Sequence, residues 1–270
     1  MRPGSWLGTL LAAVLLSTVP VPPAQAATAV DLELVLAVDV SRSMDSDEQV
    51  LQRAGYVAAF RDPEVLRAIV SGPVGRIAVT YVEWAGAGLQ RVVVPWTLVE
   101  DTQSGERVAR ALTAAPYDAR RRTSISDALL FAAGLFRDSG FTGARKVIDI
   151  SGDGPNNNGI PVEQARERVL DQGIVINGLP IMLKQRRLSG MFDVSDLDLY
   201  YEDCVIGGFG AFTVTVVEPS EFVGAIRRKL ILEIAGAVPR VIPAQDSRPT
   251  AGTDCLVGEK MWDHWMQGRE

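Results

Sequence analysis

Asp39, Ser41 and Ser43 stand at alternating positions in Asp39-Val40-Ser41-Arg42-Ser43-Met44, where one turn can bring a carboxylate and two hydroxyls to a single point. Oxygen donors of this kind suit a hard cation such as Mg2+, whereas zinc and copper favour imidazole and thiolate. The preceding residues 32–38 form a short, nearly unbroken apolar run, which predicts a strand covered on both faces. Open parallel sheets bind ligands just beyond the carboxyl ends of their strands, so Asp39 stands where a site is expected. Taken alone, Asp-x-Ser-x-Ser is equally compatible with ordinary turn and cap residues after a strand.

Two other segments point the same way. Arg122-Thr123-Ser124-Ile125-Ser126-Asp127 leads into a helix with Ser126 as its expected cap and residues 128–136 as its apolar body. Residues 146–150 predict a second buried strand that runs into the turn Ser151-Gly152-Asp153-Gly154. Together the three segments resemble the von Willebrand factor A (vWA) domain and its metal-ion-dependent adhesion site, whose pattern is Asp-x-Ser-x-Ser on a first loop, Thr on a second and Asp on a third. The resemblance implies metal ligation by Asp39, Ser41 and Ser43 from the first loop, Thr123 from the second and Asp153 from the third, some directly and some through water. It also implies Mg2+, with Mn2+ or Ca2+ as substitutes, and an open coordination position for an Asp or Glu of a protein partner. It covers residues 31–236 and is strongest to uncharacterised exported bacterial members that carry Asp-Val-Ser-x-Ser-Met early and Ser-Gly-Asp-Gly-Pro-Asn-Asn later.

The chain departs from that pattern twice. Its third loop has Ser151-Gly152-Asp153 where Ser-Asp or Thr-Asp is usual, and the added glycine is expected to shift the carboxylate. Its second loop carries Arg120, Arg121 and Arg122 before the threonine, three charges suited either to solvent or to contact with an acidic partner.

Arg2, an apolar stretch over residues 7–19 and Ala24-Gln25-Ala26 fit a secretory signal over residues 1–26, cleaved before Ala27. That apolar stretch is too short to span a bilayer comfortably, with a retained anchor helix as the alternative, and no later run is long and apolar enough for a membrane helix. The expectation is an exported protein, periplasmic or secreted, without a transmembrane segment in its mature part. A formal charge of −6 gives no electrostatic case for nucleic acid, which needs clustered Lys and Arg. Cys204 and Cys255 are the only cysteines. In an oxidising compartment they can close a loop of roughly fifty residues, worth about 4 kcal/mol; two unpaired thiols are the alternative.

Alternating helix and strand patterns over residues 27–236 predict an α/β domain: a doubly wound, mostly parallel sheet with helices on both faces and an antiparallel edge from the hairpin at residues 77–96. Helices are expected at 46–60, 63–70, 105–114, 162–171 and 219–234, and late strands at 174–181 and 212–217. Residues 181–212 hold a polar and aromatic insertion with Asp193, Asp196, Asp198, Tyr200, Tyr201, Glu202 and Asp203, expected chiefly as a solvated loop tied down by Cys204. The tail, 237–270, ends in Met261, Trp262, His264, Trp265 and Met266, suited either to a partner or to its own domain. His264 is the only histidine, and Gly-x-Ser-x-Gly, Walker and dinucleotide motifs are absent, so enzyme readings lack their residues. The alternatives are metal-assisted phosphoryl transfer, which would want an acid where Ser41 stands, and a structural domain with an idle metal site.

Overall fold

β1 (Thr28–Asp39) is buried continuously over residues 32–39, as a strand with neighbours on both edges and helices on both faces must be. The structure, a computed structural model, describes residues 26–183, 194–236 and 252–268. The expected leader falls almost wholly outside them. β1 pairs in parallel with β2 (Ile77–Trp84) and with β4 (Phe141–Gly152), and β4 pairs in parallel with β5 (Val175–Pro180). β3 (Gln90–Val99) is antiparallel to β2 and forms the edge of a sheet ordered β3-β2-β1-β4-β5. Pro95 sits in that edge strand, the one place in a sheet that tolerates a missing N–H.

The twofold alternation of β1 sorts the helices into two layers. Leu32, Leu34, Leu36 and Val38 pack with Tyr56 of α1 (Ser46–Ala59), Val65 of α2 (Pro63–Val70), Leu112 of α3 (Thr102–Ala114) and Phe222 of the later helix over 222–235. Val35 and Ala37, one residue out of phase, pack with Leu129 of α4 (Ile125–Leu135) and Val169 of α5 (Val162–Leu170) on the other face. Each fully buried Leu or Val contributes on the order of 1.5–3 kcal/mol, so the central strand anchors both cores.

The first four helices start at local side-chain caps. Asp45 accepts from the Asp47 and Glu48 N–H groups while Glu48 accepts from the Asp45 N–H, a reciprocal box that begins α1 directly after the Ser41–Ser43 loop. Asp62 caps α2 with Pro63 in its first turn, and Asp101 caps α3 at Thr102, three residues ahead of the expected start. α4 begins earlier than expected too: Ser124, not Ser126, is its cap, accepting from the Asp127 N–H at 3.3 Å. Ser126 is instead buried, with its N–H donating to Asn156 Oδ1 at 3.0 Å.

The strand expected at 212–217 does not form. Thr213 and Val216 meet Gly178 and Ile181 as isolated parallel bridges, because Pro180 between them has no N–H to carry the ladder on. The insertion is corrected as well. Its described part is not a solvated loop: α6 (Leu197–Tyr200) runs into a single π turn, Tyr201–Val205, and Leu197, Tyr200, Tyr201, Cys204 and Val205 are buried in the second core. Glu202 and Asp203 face solvent, and Asp193 lies outside the described residues. α7 (Phe222–Ala235) follows a short 3-10 turn at Pro219–Glu221. α8 (Val257–Gln267) is the helix among the described residues of the tail, which is joined to the body by a Cys204–Cys255 disulfide that spans 51 residues.

Candidate metal centre

Asp39 ends β1, where the Val40 N–H donates to Trp84 O at 2.9 Å and holds the strand end against β2. The chain then turns on Asp39 itself: its Oδ1 accepts from the Ser41 N–H at 2.6 Å. That turn brings Ser41 Oγ to 2.6 Å from Ser43 Oγ, and Ser43 Oγ donates to Asp153 Oδ1 at 2.6 Å. Residues 110 positions apart thus form one hydrogen-bonded group at the carboxyl ends of two adjacent parallel strands. The added glycine leaves Asp153 within reach of the first loop.

The second loop is stapled to both others. The Arg120 N–H donates to Val40 O at 3.0 Å, the Thr123 N–H to Asn157 Oδ1 at 3.0 Å, and the Asn157 N–H back to Thr123 O at 2.9 Å. Thr123 is buried in this position, but its hydroxyl makes no hydrogen bond to the other four residues. Between them Arg122 takes a left-handed conformation, φ 67°, which lets the loop reverse. Its guanidinium stacks on Trp262 of α8, 4.1 Å from the ring centroid. Arg120 pairs with Asp118. All three arginines remain exposed.

Asp39 is completely buried, and its Oδ2 has no hydrogen-bond partner. Burial first, and then the Asp153 carboxylate, push its carboxyl well above the usual range; hydrogen bonds from Ser41 offset part of this. Two carboxylates side by side with an orphaned oxygen and three hydroxyls fit a divalent cation, which would supply the missing charge and the missing partner. No cluster of three or more His, Cys, Asp or Glu occurs among the described residues, so hydroxyls have to provide part of any such set.

A family model described as "Protein of unknown function (DUF1194)" matches residues 29–238. The chain belongs to the DUF1194 family. No curated protein matches it. Among solved structures, this DUF1194 protein is similar to proximal thread matrix protein 1 from the mussel byssus (TM-score 0.54, 14% identity, 77% of this chain and 49% of that one). It is also similar to a von Willebrand factor type A protein from Catenulispora acidiphila (TM-score 0.51, 15%, 76% and 43%). A third likeness is to the pilus adhesin SpaC from Lactobacillus rhamnosus GG (TM-score 0.55, 12%, 76% and 30%). The chain spans half or less of each of these proteins. At such identities they show the fold, which is vWA-like.

Several DUF1194 residues at the centre escaped the sequence reading. Asn156 is wholly buried; besides Ser126 it engages Tyr200, whose hydroxyl accepts from the Asn156 N–H at 3.1 Å, and Glu259 of α8, which accepts from Nδ2 at 2.7 Å. Gly258 packs so closely that a Cβ there would stand 2.1 Å from Asn156 O. The run Pro155-Asn156-Asn157-Asn158 has turn-forming residues, but apart from Ile160 O, which accepts from Asn156 Nδ2 at 3.1 Å, the partners of its asparagines lie 30 or more residues away.

Proposed function

We propose that this DUF1194 protein is an exported protein-binding module in which Asp39, Ser41, Ser43, Thr123 and Asp153 hold one divalent cation, Mg2+ or in its place Mn2+ or Ca2+. An Asp or Glu of a protein partner completes the coordination. The observation that carries this reading is the meeting of first and third loops in the Ser41–Ser43–Asp153 group, beside a buried aspartate with an orphaned oxygen. With only two carboxylates in the set, the bound ion keeps enough field to attract a third from outside. The exposed Arg120, Arg121 and Arg122 add to that attraction, Arg121 most freely because its neighbours are engaged with Asp118 and Trp262. One neighbour is a pilus adhesin, and another, proximal thread matrix protein 1, is known in a structure with a zinc-occupied MIDAS motif, which supports the class of function. Export to the periplasm, or secretion, rests on residues 1–26.

The test is calorimetric titration of Mg2+, Mn2+ and Ca2+ into the chelator-stripped protein, followed by a short Asp-containing peptide in the presence of each ion. The expected result is saturable binding of about one ion per chain, lost in Asp39→Ala, and peptide binding that requires the ion. Peptide binding of equal strength with Mg2+ and with chelator would overturn partner capture through the metal.

A further inference from the structure

Gly152 closes β4 without adopting a left-handed conformation, so its backbone does not require glycine. Space does. A Cβ at this position would stand 2.9 Å from Asp39 Oδ2, 2.9 Å from Tyr201 Oη and 3.3 Å from Trp84 Cζ2. These neighbours cannot give way easily, since Asp39, Tyr201 and Trp84 are all fully buried. The two oxygens therefore border one point beside Gly152, and the two distances of 2.9 Å put them at most 5.8 Å apart. Neither has a hydrogen-bond partner. One belongs to a phenol, which donates; the other belongs to a carboxylate, which accepts.

We propose that Tyr201 is a positioning residue of the metal centre, its Oη–H turning to donate to Asp39 Oδ2, directly or through one bridging water, when the cation is bound. This rests on the metal reading above. Asp39 Oδ1 already accepts from the Ser41 N–H. With a second donor on Oδ2 the carboxylate plane is fixed at both ends, and lone pairs remain on each oxygen for the cation. The extra glycine of the third loop and the insertion then become two halves of one device: the insertion delivers the phenol, and Gly152 makes room for it. Tyr201 is held for that task by its π turn, by the edge contact with Tyr200 at 6.4 Å between ring centroids, and by Cys204 three residues on, bonded to Cys255.

The experiment is Mg2+ titration of the full chain in five forms: wild type, Asp39→Ala, Tyr201→Phe, Gly152→Ala, and Tyr81→Phe as a buried tyrosine of the opposite core. Each is also read by near-ultraviolet tyrosine difference absorption on adding Mg2+. Tyr201→Phe is expected to bind Mg2+ about 10- to 100-fold more weakly, as outer-shell substitutions do, and to lose the metal-dependent tyrosine signal. Tyr81→Phe is expected to keep both. Gly152→Ala, whose methyl group would crowd both oxygens, is expected to weaken Mg2+ at least as much; if Tyr201→Phe does not fold, wild type that binds Mg2+ without any tyrosine difference signal overturns the proposal. Wild-type affinity and an unchanged signal in Tyr201→Phe overturn the proposal even while loss of binding in Asp39→Ala upholds the metal site. No Mg2+ binding by wild type overturns both.

Discussion

Two buried aspartates on neighbouring strands are treated differently by this fold. Asp149, inside β4, is answered by Lys229 of α7, with Nζ 2.9 Å from its Oδ1; the same Nζ lies 2.6 Å from Glu233 Oε1, and Glu233 Oε2 accepts from Asn177 Nδ2 at 2.6 Å. Asp39 forms no ion pair with any described residue. The first arrangement carries its own counter-charge, and the second, among the described residues, does not. Lys229→Met should therefore leave two buried acids uncompensated and cost about 3–5 kcal/mol in denaturant unfolding; a loss below about 1 kcal/mol would show that water or a neutralising proton replaces the lysine. The same site makes stability depend on pH. Burial raises the Asp149 carboxyl to about 7, with Lys229 pulling the other way. Because its folded pKa lies above the unfolded value of about 3.9, this group's contribution is present below pH 4 and is lost as pH rises to about 7, where the folded state gives up a proton that the unfolded chain released earlier. Urea midpoints of metal-free protein should accordingly fall less between about pH 4 and 7 in Asp149→Asn than in wild type, and parallel curves would remove Asp149 as the cause.

Where an element's cause was local, the chain announced it. Asp45 with Glu48 and Asp62 with Pro63 name their helices, and the nearly unbroken apolar run of β1 and the short apolar stretch of β4 around Asp149 name buried strands. Where the cause was a distant partner, it did not. The expected strand at 212–217 fails through Pro180, an element away, and Ser124 rather than Ser126 caps α4, where Asn156, 30 residues on, takes up the Ser126 N–H left open in the first turn. α8 is the clearest case at this scale. Its tryptophans suited either a partner or the domain itself, and it lies on the second and third loops through Trp262 under Arg122, Gly258 against Asn156 and Glu259 bonded to Asn156. Reducing Cys204–Cys255, or replacing both with serine, should lower stability by about 4 kcal/mol, on the order of 10 °C in Tm, and should speed proteolysis between α7 and α8. A Tm unchanged by reductant under conditions that free both thiols would mean that packing alone holds α8.

At the scale of the whole molecule, the loops of the candidate centre are extensions of the core rather than appendages, so filling the centre should be felt globally. Mg2+ at a hundred times its Kd is expected to stabilise the native state by about 2.7 kcal/mol, raising Tm in wild type and leaving Asp39→Ala unmoved; no rise at saturating Mg2+ would contradict a metal held by the native fold. The vWA-like architecture and the turn that gathers Asp39, Ser41 and Ser43 were legible in the sequence, because strand periodicity, capping and an Asp-x-Ser-x-Ser turn are encoded within a dozen residues of one another. Long-range matters were decided only by the tertiary structure. Asp153 meets Ser43 despite Gly152, Asn157 pins Thr123, and an insertion that reads as polar delivers Tyr200 and Tyr201 to the interior. The physical reason is common to all three: a hydrogen bond or a close approach across many residues depends on where two backbones are brought by the packing of the whole sheet, and neither partner's local sequence carries that distance.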